Sequence, residues 1–274
     1  MSVDADRVAG MGGEHISPVI PDWAEQRRFG VRVDWGLVGA QALGPGSAAV
    51  VVVDVLSFTT SVSVAVDAGT EVLPYRWRDG TAPRFAADSN AELAVGRREI
   101  SEHRPWSLSP AALRRAPAPR RLVLPSPNGS AISAAVDGIP VLAACLRNAS
   151  AVARWIVDQG WGTRDRPVSV IAAGEHWPGR NVLRPAIEDW LGAAAVIAAL
   201  VEYGAGPLSP EAMLALSSHT GNAAVAALVS GCASGLELAS TGFADDVAVA
   251  VEIESSSAVP ILTDGAFIDA RVDA

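Results

Sequence analysis

Apolar positions in this chain come in two periods, and the switching between them lays out the elements. Ala48–Val53 is an unbroken apolar, β-branched run, the pattern of a strand buried on both faces. Asp54 ends it, and Thr59–Ala68 then follows helical spacing up to Gly69. Val31–Trp35 and Glu71–Tyr75 read as strands on either side, so this part of the chain reads as the β-α-β alternation of a parallel sheet. Further on, the pattern predicts strands at Leu122–Leu124, Pro140–Ala143 and Val168–Ala172. It predicts helices at Ala131–Val136, Asn148–Gln159 and Pro185–Tyr203, with Pro185 in the first turn of the last. Ser89–Glu99 has a short helical pattern within the irregular stretch Arg76–Pro119, and Ser109-Pro110 opens another helix. Ser209–Ala239 reads as two or three Ala-rich helices packed inward, and Val247–Ile253 and Val259–Leu262 as late strands. The chain is expected to be α/β, with residues 1–30 as an extension and 31–274 as one domain.

Half of the 274 residues are apolar and 19% are charged, enough to bury a sizeable core. The net charge of −9 disfavours nucleic acid or an anionic membrane as partner, because both need a cationic face. All 21 basic residues are arginine, which excludes a lysine Schiff base, a P-loop lysine or a lysine general base. Cys145 and Cys232 sit far apart in Ala-rich contexts and read as reduced cytosolic thiols. The N-terminus lacks the apolar stretch of a signal peptide, and Leu191–Leu200 is too short to span a bilayer. A cytoplasmic protein is expected, with a homodimer as one assembly to test.

Candidate chemistry lies where strands end, which is where open α/β sheets gather ligands. Asp54 is either a metal-binding or catalytic carboxylate or a helix cap. Thr59 and Thr60 either present donors to a phosphate or cap the helix. Asn128-Gly129-Ser130 follows a strand and opens a helix, though Asn-Gly is also a common turn. Arg147 offers a guanidinium suited to anions, and Asn148 either an amide contact or a cap. Glu188-Asp189 stands in the first turns of the long helix, where acids are favourable in any case. His176 follows Gly174-Glu175 at another strand end and is a candidate proton donor. Walker A, G-x-G-x-x-G, G-x-S-x-G, H-E-x-x-H and C-x-x-C patterns are all missing.

In this order the segments resemble one family. Val52-Val53-Asp54-Val55-Leu56 with Thr59-Thr60, Asn128-Gly129-Ser130-Ala131, Cys145-Leu146-Arg147-Asn148-Ala149, and Ala172-Ala173-Gly174 followed by Ile187-Glu188-Asp189 and Gly192-Ala193 resemble the ComB-like 2-phosphosulfolactate phosphatases. The resemblance implies a three-layer α/β/α fold with a mostly parallel or mixed sheet. It implies a Mg²⁺-dependent acid phosphatase hydrolysing 2-phospho-3-sulfolactate, a small phosphorylated acid, to 3-sulfolactate and phosphate, as in coenzyme M biosynthesis. Asp54, Glu188 and Asp189 would then be the catalytic and metal-binding acids. Thr59, Thr60, Asn128, Gly129, Ser130, Arg147 and Asn148 would bind substrate. The attacking group is left open between water and a carboxylate.

Two basic features of the family pattern depart here. Ser57-Phe58 stands where the motif has Arg-Ala, and the basic loop after the next strand is reduced to Arg76-Trp77-Arg78-Asp79-Gly80 and Arg84. Arg84, Arg147, Arg180 and Arg184 are the candidates to compensate. The competing expectation is a catalytically weakened homologue that binds a small anion or serves as a structural partner.

Overall fold

The computed structural model describes residues 20–76, 80–180 and 182–271. Most of the expected N-terminal extension, residues 1–19, and Trp77-Arg78-Asp79 of the basic loop lie outside the described residues. The elements in chain order are β1 (Val31–Trp35), α1 (Gly36–Leu43), β2 (Ala49–Val53), α2 (Phe58–Asp67), β3 (Glu71–Tyr75), α3 (Ala82–Asp88), β4 (Glu92–Leu93) and α4 (Pro110–Arg115). There follow β5 (Arg121–Pro125), α5 (Gly129–Ala135), β6 (Val141–Ala144), α6 (Ala149–Asp158), β7 (Val168–Ala172), β8 (Glu175–His176), β9 (Leu183–Arg184) and α7 (Ile187–Glu202). The chain closes with α8 (Pro210–Ser217), α9 (Asn222–Gly231), α10 (Ala233–Ser240), α11 (Ala244–Ala250), β10 (Pro260–Thr263) and β11 (Ala266–Asp269).

Nine strands form one mixed sheet in the order β1-β7-β2-β6-β10-β11-β3-β5-β4. The β1, β7, β2 and β6 block is parallel, and so is the β3, β5 and β4 block. The antiparallel hairpin β10–β11 joins the two and pairs antiparallel with both β6 and β3. Three successive reversals therefore leave β3 running against β2. The β-α-β reading of Val51 to Tyr75 is corrected here: β2 and β3 are not neighbours, because the late hairpin and β6 lie between them.

Both faces of the sheet are covered, giving the expected three layers. Val51 and Val53 pack with α6 and α7 residues such as Ile156, Val196 and Leu200. Val50 and Val52 pack on the other side with Val62 of α2, Ile132 of α5 and Leu43 of α1. A central strand so placed must be apolar at every position, which is why Ala49–Val53 reads as a continuous run. Gly192 lets α7 approach β2, since a Cβ there would lie 2.7 Å from Val53 Cγ1 and Val55 Cγ2. That close approach brings the acidic first turn of α7 to the end of β2.

Several expectations change. Ser89–Glu99 holds no α-helix, only a 3-10 turn at Arg97–Glu99: Pro83 starts the helix earlier, at Ala82, and Asn90 turns the chain at φ 48° into β4. Val247–Ile253 is not a strand: Val247–Ala250 is the second half of α11, and Val251–Ile253 lies past its end. In α11 Asp246, Val247, Val249 and Ala250 bury one helical face, so packing overrides the β preference of the alternating valines. Pro185 precedes the N-cap Ala186 instead of lying in the first turn of α7. The sequence pattern missed β11, which follows a tight turn at Asp264 and Gly265, both with positive φ. The Ala-rich segment is three helices that bury Ala212, Ala215, Val225 and Val229, while Met213, Leu214, Leu228 and Leu236 remain exposed. No single helix among the described residues is long and apolar enough to cross a membrane.

Candidate active site

Loops from both strand blocks meet at one cavity of about 360 Å³. Its polar wall is Asp54 and Ser57 after β2, Arg76 after β3, Asn128 after β5, Glu175 after β7, and Arg97 from a 3-10 turn at Arg97–Glu99. Helix α5 packs against both β2 and β3 and so ties the two blocks together at this point.

Asp54 is at the centre and is almost fully buried. Its Oδ1 accepts the Phe58 N–H at 3.0 Å, and its Oδ2 accepts the Gly129 N–H at 2.9 Å. The carboxylate thus bridges the starts of α2 and α5, and serves as a helix-start acceptor while also facing the cavity. Those two amides are engaged by protein and do not form an open phosphate cradle. Gly129 is required for the approach: a Cβ would lie 2.2 Å from Phe58 Cδ1. Burial pushes the Asp54 carboxyl up to about 6, the Phe58 and Gly129 N–H groups pull it down, and the Glu188 charge raises it further.

Three more acids lie near it; Glu175 lines the cavity with Asp54, whereas Glu188 and Asp189 are buried and are not among its lining residues. Asp189 accepts the Val55 N–H at 2.7 Å and the Gly174 N–H at 2.8 Å, so it ties the ends of β2 and β7 to α7. Burial, then the Asp54 and Glu188 charges, hold its carboxyl well above the usual range. Glu188 is also buried, and its Oε2 accepts the Cys232 thiol at 3.1 Å. Glu175 accepts the Asn128 Nδ2–H at 3.0 Å, and burial followed by the Asp54 charge pushes it up to about 7. The Oδ1 of Asn128 lies 3.2 Å from His176 Nδ1. Asp54, Glu175 and Asp189 are each held above their ordinary values, by burial first and then, for part of the shift, by the charge of neighbouring acids. Among the described residues no three His, Cys, Asp or Glu side chains form a ready-made ligand set. Asp54 and Glu175, which line the cavity, are the residues that could hold a hard cation there.

The remaining sequence candidates divide. Thr59 Oγ1 closes on the Asp54 backbone, donating to its carbonyl at 2.8 Å and accepting its N–H at 2.9 Å. Thr60 Oγ1 donates to the Val55 carbonyl at 2.7 Å, and Ser130 Oγ to the Leu124 carbonyl at 3.2 Å. All three hydroxyls brace the loops around Asp54 from behind. Arg147 and Asn148 are not brought to the cavity. Arg147 is buried against Glu252 at 2.5 Å and Asp67 at 3.1 Å. Asn148 caps its own loop, accepting the Cys145 N–H at 2.9 Å and donating to the Ala143 and Ala258 carbonyls. Arg84 pairs with Asp88 on the surface, and Arg184 donates to Ser234 at 3.0 Å.

A guanidinium from a distant part of the chain does reach Ser57. Arg97 Nη2 donates to Ser57 Oγ at 2.7 Å, and Nε donates to Asp246 Oδ2 at 2.9 Å. Sequence reading passed over Arg97 and Asp246, because the first lies in the irregular stretch and the second in a segment read as adjoining a strand. The only cue was the basic pair Arg97-Arg98 after Gly96.

A comparison with curated proteins gives no match to the chain. The family model described as 2-phosphosulpholactate phosphatase matches residues 41–265, a span that includes every cavity residue named above. The chain belongs to the 2-phosphosulpholactate phosphatase family, and so to the phosphoric monoester hydrolases.

Proposed function

We propose that this protein removes the phosphoryl group from 2-phospho-3-sulfolactate in a Mg²⁺-dependent reaction, giving 3-sulfolactate and phosphate on a route of the coenzyme M type. The observation that carries the reading is the convergence of Asp54, Glu175, Arg76 and Arg97 on one small cavity within the matched span. A volume of about 360 Å³ is at the small end for ligand sites and suits a three-carbon acid with two or three anionic groups.

In this reading Asp54, with Glu175 and Glu188 beside it, would hold Mg²⁺, which would supply neutralisation of charge on the phosphoryl oxygens. Asp54 is prepared for this by the Phe58 and Gly129 amides, which fix both of its oxygens before any ligand arrives. Asp189 acts as a positioning residue, holding the Val55 and Gly174 backbone and with it the two strand ends. Asn128 orients Glu175 on the cavity wall. Arg76 and Arg97 bring positive charge to a site otherwise dominated by acids. The unpaired thiols Cys145 and Cys232 support a reducing, cytosolic setting.

The test is phosphate release from a panel of phosphorylated hydroxy acids by purified protein, with Mg²⁺ or with EDTA. Turnover confined to the Mg²⁺ arm and favouring 2-phospho-3-sulfolactate supports the proposal. Binding of the panel without any turnover would leave the non-catalytic anion binder in its place.

A further inference from the structure

Arg97 is held unusually firmly for a side chain on a cavity wall. Nε is paired with Asp246, Nη2 is anchored on Ser57, and Cζ lies 5.6 Å from the centre of the Phe243 ring. Asp246 is itself fixed: it is buried, it accepts the Ser109 hydroxyl, and it accepts the Ala111 N–H at 3.3 Å. A guanidinium carries five N–H groups, and two are used here. Among the described residues no hydrogen-bond partner takes the other three, and the side chain keeps 19% exposure at the cavity. A planar fork with unspent donors, locked in place, is preorganised for bidentate contact with a planar or tetrahedral oxyanion.

The geometry points to Arg97 as the residue that recognises the non-reacting acid group of the substrate, its sulfonate or carboxylate, in the role left open where Ser57 replaces the arginine of the family motif. The inference rests on the phosphatase reading of the same cavity. In that reading the cation and the phosphoryl group take the part of the cavity lined by Asp54 and Glu175. The second anion of the substrate then falls to the guanidinium on the wall. Ser57 supports the relocation directly: its short hydroxyl accepts from Arg97, and this buried position holds no charge of its own. Asp246 acts through Arg97 and is a positioning residue.

Equilibrium binding separates this inference from turnover. Calorimetry would compare 3-sulfolactate, which has both acid groups and no phosphoryl, with inorganic phosphate, each in Mg²⁺ buffer. Arg97→Ala should weaken 3-sulfolactate binding by about tenfold or more, since a hydrogen bond to a charged group is worth at least about one power of ten. Phosphate affinity should stay within about twofold. Circular dichroism melts report whether the variant folds. Arg97→Lys, which keeps the charge on Asp246 but loses the fork, should show an intermediate loss. The double variant Arg97→Ala with Ser57→Arg should regain part of the 3-sulfolactate affinity. Equal losses for the two ligands, an unchanged 3-sulfolactate affinity, or no binding of 3-sulfolactate to the unaltered protein would each overturn the inference. Intact, Arg97-dependent 3-sulfolactate binding without phosphatase turnover would instead count against the proposed reaction alone.

Discussion

The Gly129 amide donates to Asp54 Oδ2 across 2.9 Å, and this bond joins the start of α5 to the end of β2. It also explains why residue 129 has no side chain. A Cβ there would meet Phe58 Cδ1 at 2.2 Å, Phe58 Cγ at 2.8 Å and Asp54 Oδ2 at 2.9 Å. Gly129→Ala must therefore push Phe58 or α5 aside. Overpacking of this kind costs about 1–3 kcal/mol, readable as a lower midpoint in urea unfolding. Activity should fall more than stability, because the displaced amide is one of the two that hold Asp54. An unchanged midpoint would show that the helix start yields freely.

Arg147 should behave as a structural residue. Its guanidinium is buried between Glu252 and Asp67, and Glu252 also takes Arg114 at 2.6 Å. Replacing Arg147 by Met removes the cation that these acids share. The acids are about one-third exposed, so water recovers part of the loss. We expect a destabilisation of about 1–3 kcal/mol in denaturant unfolding, with KM unchanged. A raised KM at unchanged stability would return Arg147 to the substrate site.

Stability of the metal-free protein should fall as pH rises. Asp54 is held up at about 6 and Glu175 at about 7, mainly by burial. In the unfolded chain both groups titrate near pH ~4. Between about pH 4 and 7 the folded state therefore carries more protons than the unfolded state, and stability declines across that window. In EDTA the melting temperature should drop by several degrees from pH 5 to pH 8. Mg²⁺ should restore most of it at pH 8 and little at pH 5. A flat profile in EDTA would mean that Asp54 and Glu175 are not held above their ordinary values in the folded protein.

Asp54 was legible because two local signals coincide, an all-apolar strand and an acid at its end. The same local logic misplaced Arg147 and Asn148. They also follow a strand end, but the partners of Arg147 are set by distant chain, with Glu252 105 positions on and Asp67 80 positions back, while Asn148 takes the capping role within its own loop. Arg97 was invisible for the converse reason. It sits in a stretch read as a short helix that the structure does not form as such, and the acid that orients it is 149 residues away on a helix whose valines alternate like a strand. The fold class could be read from the runs of the parallel strands. The sheet order could not, because the late hairpin β10–β11 is what separates β3 from β2.

The central claim is that Asp54 organises Mg²⁺-dependent phosphate release. Asp54→Asn keeps the shape but sets an NH₂ group against the amide of Phe58 or Gly129 and removes the negative charge. The direct measurement is phosphate release from 2-phospho-3-sulfolactate by the unaltered protein and by Asp54→Asn, with and without Mg²⁺, each variant first shown to melt cooperatively. The account predicts Mg²⁺-dependent turnover that drops by at least about a hundredfold in the variant. Full activity in Asp54→Asn would contradict it.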